Sequence, residues 1–247
     1  MTGRTTTGPT GLGMPVRGVP GPRAAGSAPA HPADGLAVAG LTALSSCDWP
    51  GRLVATVFLQ GCPWRCTYCH NSAILDPRTP GTVPWDDVRT LLVRRRGLLD
   101  GVVLSGGEPL RQPGIVDAAR EVREAGFGVG LHTSGAYPGR LAAVLPHVDW
   151  VGFDVKAPAR LYRSVTRVGG PTTTADAAFA SLRLVVGAGV DVQVRTTVDP
   201  TVMGRADVVE LTAVLAGLGV RDHVLQEVRT DGTTVEYREA LAAASAA

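Results

Sequence analysis

The chain has 247 residues, 45% hydrophobic and 19% charged, with a formal net charge of +2. That length suits one good-sized domain with its own core, and so small a net charge excludes electrostatic capture of nucleic acid or an anionic membrane. No apolar stretch is long and uninterrupted enough to span a bilayer. Four cysteines, three of them clustered, argue against a secreted disulfide scaffold and for a reducing, cytoplasmic setting.

Residues 1–34 hold seven Gly and six Pro without a hydrophobic period, and read as a disordered tail lacking the apolar core of a secretory signal. A folded domain is expected over 35–236. Strands are predicted at Leu53–Leu59, Gly101–Ser105, Gly128–Thr133, Trp150–Asp154, Val190–Val198 and His223–Val228. Helices fall between them at Pro84–Arg96, Pro113–Ala125, Pro138–Leu145, Thr174–Ala188 and Arg205–Leu218. Several strands are apolar on both faces, as in a parallel sheet covered by helices. Successive right-handed βα units give an α/β fold, and six strands are too few for a closed eight-stranded barrel. The expected architecture is therefore an open, partial (β/α)6 TIM-like barrel with parallel strands. Residues 237–247 read as a C-terminal tail or short helix.

Polar residues collect at the C-terminal strand ends, where barrel enzymes build their sites. The first strand is followed by Cys62, Cys66 and Cys69, spaced Cys-x3-Cys-x2-Cys. Three thiolates are one fewer than a cubane iron–sulfur cluster needs for a full protein shell, leaving one iron open to a substrate. A zinc site completed by His70 is the alternative; zinc takes four tetrahedral ligands, and the adjacency of Cys69 and His70 makes joint ligation awkward. Cys47, fifteen residues upstream, reads as a semi-buried free thiol. Lys156 is the single lysine among 24 Lys and Arg residues, either an ordinary surface lysine or one whose task needs a compact ammonium.

Cys62, Cys66 and Cys69, with Tyr68 before the last cysteine and Phe58-Leu59-Gln60-Gly61 before the first, resemble the cluster loop of the radical S-adenosylmethionine superfamily. The resemblance implies a 4Fe–4S cluster whose open iron is chelated by S-adenosylmethionine. One electron then cleaves a carbon–sulfur bond and yields a 5′-deoxyadenosyl radical. It also implies that Tyr68 lies against the adenine and that Gly106-Gly107-Glu108-Pro109 contacts the methionine amino group. Asp154-Val155-Lys156 matches the Asp-x-Lys pattern of glycyl-radical activating enzymes, which associates Lys156 with the methionine carboxylate. Arg195 falls where the family places an arginine near ribose and carboxylate; pairing with Asp154 is its structural alternative. His132 and Thr133 join the expected cofactor site, but His132 replaces the aspartate of the relatives' Asp-Thr-Asn-Gly. In pyruvate formate-lyase activating enzymes that aspartate helps hold a monovalent cation. Imidazole is a poor ligand for a hard cation, so no cation site is expected here. His132 either hydrogen-bonds the cofactor or is a satisfied core histidine.

Gly40-Leu41, Asp48-Trp49-Pro50-Gly51, Cys69-His70-Asn71, Gln112, Arg195-Thr196-Thr197-Val198 and Leu225-Gln226 extend the likeness over about 38–230. Together they resemble the activating proteins of anaerobic ribonucleoside-triphosphate reductase. The implied substrate is a glycyl radical enzyme, with reduced flavodoxin or ferredoxin as electron donor. A radical enzyme acting on a small molecule, such as a deazaguanine synthase, is the alternative, followed by an iron–sulfur redox sensor.

Overall fold

The computed structural model describes residues 31–169 and 173–245. Seven strands form one sheet in sequence order: β1 Val38–Ser45, β2 Val54–Leu59, β3 Gly101–Gly106, β4 Gly128–Thr133, β5 Trp150–Asp154, β6 Asp191–Val198 and β7 His223–Glu227. β2 through β7 run parallel, and β1 pairs antiparallel with β2. The ends of the sheet do not join, so the barrel is open. α1 Trp85–Arg95, α2 Ile115–Glu124, α3 Pro138–Val144, α5 Thr173–Ala188 and α6 Arg205–Gly217 connect the strands, with a short α4 Tyr162–Thr166 before α5. The expected six parallel strands and five helices are all present. Among the described residues no helix is long and apolar enough to cross a membrane.

The sequence reading missed β1. Its residues are mostly half-exposed, with Gly40 and two alanines, so the apolar alternation that marks a strand is weak. The folded region also starts earlier than expected. Pro32–Gly35 forms a short helical turn, Ala33 is fully buried, and Asp34 pairs with Arg89 of α1 at 2.7 Å. Residues 1–30 of the expected tail lie outside the described residues. At the other end, α7 (Val235–Ser245) buries Tyr237.

A second, small core fills the barrel interior. Trp49, on the β1–β2 connection, stacks on Trp150 at 5.6 Å and 15°, with Val54 and Val103 beside them. Neighbouring strand positions are glycines because a side chain would strike the indoles. A Cβ on Gly101 or Gly130 would lie 3.0 Å from Trp49, and one on Gly152 would lie 2.8 Å from Trp150. Three strand glycines cost about 2–3 kcal/mol, whereas burying roughly 200 Å² of one indole contributes about 5 kcal/mol. The aromatic plug wins, and it forms the floor beneath the polar residues at the strand ends.

Candidate functional site

β2 delivers the chain into the loop of Cys62, Cys66 and Cys69, which backbone hydrogen bonds fix on both sides. Gly61 N–H donates to Ile74 O at 2.8 Å and Cys62 N–H to Leu75 O at 3.1 Å. Farther along, Arg65 N–H reaches Thr166 O (2.9 Å) and Thr67 N–H reaches Val165 O (3.0 Å), tying the loop to α4. Trp64 is buried edge-on against Tyr162, with ring centroids 5.7 Å apart. So held, all three cysteines line one cavity of about 680 Å³ at the C-terminal ends of the strands. Burial pushes the Cys62 thiol up to about 12, helped by the Glu108 carboxylate, and the Cys66 thiol up to about 11. Cys69 is raised by the same cause. Thiols so disposed release their protons when a cationic centre binds, because its charge inverts the local preference. Among the described residues no three His, Cys, Asp or Glu side chains converge as a single metal ion requires. Three thiols lining one cavity can supply the protein ligands of an iron–sulfur cluster that keeps one iron open.

Gly106 and Gly107 line the cavity, and both are glycine because backbone approaches backbone. A Cβ on Gly106, at φ +121°, would lie 2.2 Å from Leu59 N; one on Gly107 would lie 2.4 Å from Gly61 O. Gly107 N–H donates to Leu59 O (2.9 Å) and Glu108 N–H to Gly61 O (3.0 Å), so this turn braces the start of the cysteine loop. Glu108 differs from expectation. Its carboxylate is fully buried and does not line the cavity. Oε1 accepts from Leu110 N–H (3.1 Å) and Thr133 Oγ1 (2.8 Å); Oε2 accepts from Ser134 N–H (2.9 Å) and Oγ (2.6 Å). Burial raises its pKa against these four bonds. Glu108 therefore locks the end of β4 to the glycine turn, and Thr133 reaches the cavity wall in that locked position.

Asp154, Lys156 and Arg195 meet on the same wall. Asp154 accepts from Arg195 Nε at 2.9 Å and Lys156 Nζ at 3.1 Å. Burial alone would raise Asp154, but Arg195 and then Lys156 hold it well below the usual carboxylate range. Burial alone would lower Lys156, and Asp154 raises it well above its ordinary value. Two cations against one carboxylate give this trio a local positive excess, complementary to an anionic ligand group, within a cavity whose lining also carries Asp48, Glu227 and Arg229. The Asp154–Arg195 pair, the alternative to a cofactor role for Arg195, is formed, and both residues also line the cavity. Tyr68 lies beside them, its ring 5.8 Å from Lys156 Nζ. Its buried hydroxyl has no hydrogen-bond partner among the described residues.

His132 is satisfied by the protein while lining the cavity. Nε2 donates to the Asp48 carbonyl at 2.7 Å, and Nδ1 accepts from Ser105 Oγ at 3.1 Å. That carbonyl can only accept, so the shorter bond puts the proton on Nε2, and the Arg195 Nη1 group 3.2 Å from Nε2 is then a contact rather than a hydrogen bond. Burial, then Arg195, pushes the imidazole down to about 4, so it stays neutral. Its ring packs edge-on against Trp150, and its bond to Asp48 fixes the connection that carries Trp49. Cys47 is exposed rather than semi-buried, at the cavity edge. Sequence reading also missed Asp199, which bonds Thr67 of the cysteine loop; the Asp199-Pro200 turn after β6 was its only local signal.

The residues fit the implied cofactors: three thiols for a cluster, a positive excess for a carboxylate, and an orphaned buried hydroxyl for a further polar group. The Radical SAM superfamily pattern matches residues 56–211. The chain belongs to that superfamily, whose cofactors are a 4Fe–4S cluster and S-adenosylmethionine. A Methanocaldococcus jannaschii protein, named provisionally as a glycyl-radical enzyme activating enzyme, is 31% identical over 70% of this chain and 73% of its own. The pyruvate formate-lyase-activating enzyme of Clostridium pasteurianum is 33% identical over 44% of this chain and 48% of its own. Within the superfamily the chain is thus a member of the glycyl-radical enzyme activating family. Its fold is shared with anSMEcpe with bound AdoMet (TM-score 0.57, 14% identity, 69% of this chain and 48% of that one). It is shared too with Streptococcus suis SuiB bound to precursor peptide SuiA (TM-score 0.56, 14% identity, 71% and 39%). The chain spans about half, or less, of the C. pasteurianum relative and of these two structures.

Proposed function

We propose that this protein cleaves S-adenosylmethionine reductively and places a glycyl radical on a partner enzyme, which we take to be anaerobic ribonucleoside-triphosphate reductase. The single observation that carries the reading is the shared cavity: Cys62, Cys66 and Cys69 face the Asp154–Lys156–Arg195 group across about 680 Å³. A 4Fe–4S cluster and S-adenosylmethionine, when bound, supply an organic radical able to remove a hydrogen atom from glycine. The chain's own contribution is orientation. Lys156 and Arg195, held rigid by Asp154, would receive the methionine carboxylate. The Tyr68 ring would lie against the adenine. The Gly106-Gly107 backbone, braced on Leu59 and Gly61, would meet the methionine amino group, while buried Glu108 keeps Thr133 and Ser134 in register. The open side of the sheet leaves room for a glycine-bearing loop of the partner. Reduced flavodoxin or ferredoxin in the cytoplasm would supply the electron.

The test is anaerobic reconstitution with iron and sulfide, then S-adenosylmethionine and dithionite, with and without candidate partners. We expect 5′-deoxyadenosine, and a radical signal on a glycyl radical enzyme. Replacing Cys62, Cys66 or Cys69 by alanine should abolish both, while Cys47→Ser should leave both intact. Absence of 5′-deoxyadenosine would return the protein to a redox-sensor role. Cleavage coupled only to a small molecule would overturn the partner assignment.

A further inference from the structure

Asp199, just after β6, is fully buried, and the donors around it are neutral. Its Oδ2 accepts from Thr67 Oγ1 at 2.5 Å. Its Oδ1 accepts from Thr201 N–H (3.0 Å), Thr201 Oγ1 (2.7 Å) and the Tyr237 hydroxyl (2.9 Å). Burying a carboxylate is costly unless hydrogen bonds satisfy it, and these four join three distant parts of the chain. Thr67 stands between Cys66 and Tyr68, and Tyr237 belongs to α7. Two further contacts join the same regions. Ser72 Oγ donates to Gly232 O at 2.9 Å. Gly232 lies so close to the His70 carbonyl oxygen that a Cβ would approach it to 2.2 Å. Segment 232–237 therefore touches the cysteine loop directly just after Cys69, at His70 and Ser72, and reaches it before Cys69 through Asp199, which bonds Thr67.

We propose that Asp199 is a positioning residue for the cysteine loop, and that segment 232–237 is a strap acting with it to hold Cys66, Tyr68 and Cys69 in cofactor-binding geometry. The proposal deepens the functional reading above and rests on it only for the identity of the cofactor. Thr67 carries the link: a shift there moves a thiol on one side and the Tyr68 ring on the other. The strap has an observable consequence before any cofactor is bound, because the loop amides should owe part of their exchange protection to it.

The test compares Thr67→Val, Thr67→Ser, Tyr237→Phe and Asp199→Asn with the wild-type chain. Amide exchange across residues 62–72 is measured on the unloaded protein. The paramagnetic spectrum of the reduced cluster and the KM for S-adenosylmethionine are measured after reconstitution. We expect Thr67→Val to speed exchange, shift the spectrum without loss of iron, and raise KM about ten-fold, the value of one buried hydrogen bond to a charged group. kcat should change less, and Thr67→Ser should restore all three readouts. Tyr237→Phe should loosen the loop in the same direction. Wild-type exchange, spectrum and KM in Thr67→Val would overturn the proposal, as would equal damage from Thr67→Ser. If the wild-type protein fails to cleave S-adenosylmethionine, the functional reading falls. The strap is then judged by exchange alone: unchanged protection in both Thr67→Val and Tyr237→Phe overturns it, even where Asp199→Asn fails to fold.

Discussion

Replacing Asp154 by asparagine isolates the electrostatic centre of the site, because it keeps the side chain's shape and removes its charge. Asp154 binds Arg195 at 2.9 Å and Lys156 at 3.1 Å, and both cations are only 13% exposed. Breaking a buried ion pair from one side costs about 3–5 kcal/mol, because an uncompensated charge remains. Asp154 itself is 33% exposed through the cavity, so solvent screening reduces the expected loss to about 2–3 kcal/mol. For a domain of this size that corresponds to a melting temperature lower by about 5–10 °C. The pH dependence has a defined sign. The folded pKa of Asp154 lies below its unfolded value of 3.8, so its contribution is present above that pH and is lost as pH falls through the folded value. The gap between wild type and Asp154→Asn should hold steady from neutral pH to about 5, then narrow under more acid conditions. Differential scanning calorimetry across pH measures both effects. In Asp154→Asn combined with Arg195→Gln, the loss should be smaller than the sum of the single losses by about 1–2 kcal/mol. An unchanged melting temperature in the single variant, or strict additivity in the double one, would refute this account.

Gly106→Ala tests the bracing of the cysteine loop. Its Cβ would fall 2.2 Å from Leu59 N and 2.3 Å from Leu59 O, at a φ of +121° that alanine rarely adopts. We expect a loss of about 3 kcal/mol or more by denaturant melting, a backbone clash adding to conformational strain. His132 bears on cation dependence: its ring nitrogens are engaged by Asp48 and Ser105, and Asp154 is neutralised by Lys156 and Arg195. Rates of 5′-deoxyadenosine formation should therefore match in sodium and potassium at equal ionic strength. Strong potassium activation would contradict this.

Sequence alone determined the order of six strands and five helices, because each is marked by a local apolar run and local helix ends. It also determined the three thiols, since eight residues of covalent chain contain the whole Cys-x3-Cys-x2-Cys pattern. The pairing of Asp154 with Arg195 was open in the sequence as the alternative to a cofactor role for Arg195, whereas its meeting with Lys156 was not read there. β1 was not legible, because a half-exposed edge strand with small residues lacks a clear period. Nor were the side-chain duties of Glu108, His132 and Asp199, which depend on partners far away in the chain. Thr67 and Asp199 are 132 residues apart, and Ser72 and Gly232 are 160. Only the tertiary structure could decide that Glu108 is a buried strut, that His132 holds the Trp49 connection, and that the C-terminal segment grips the cysteine loop. A buried polar group takes whichever donors the fold brings within about 3 Å, and no local pattern of residue types encodes that choice.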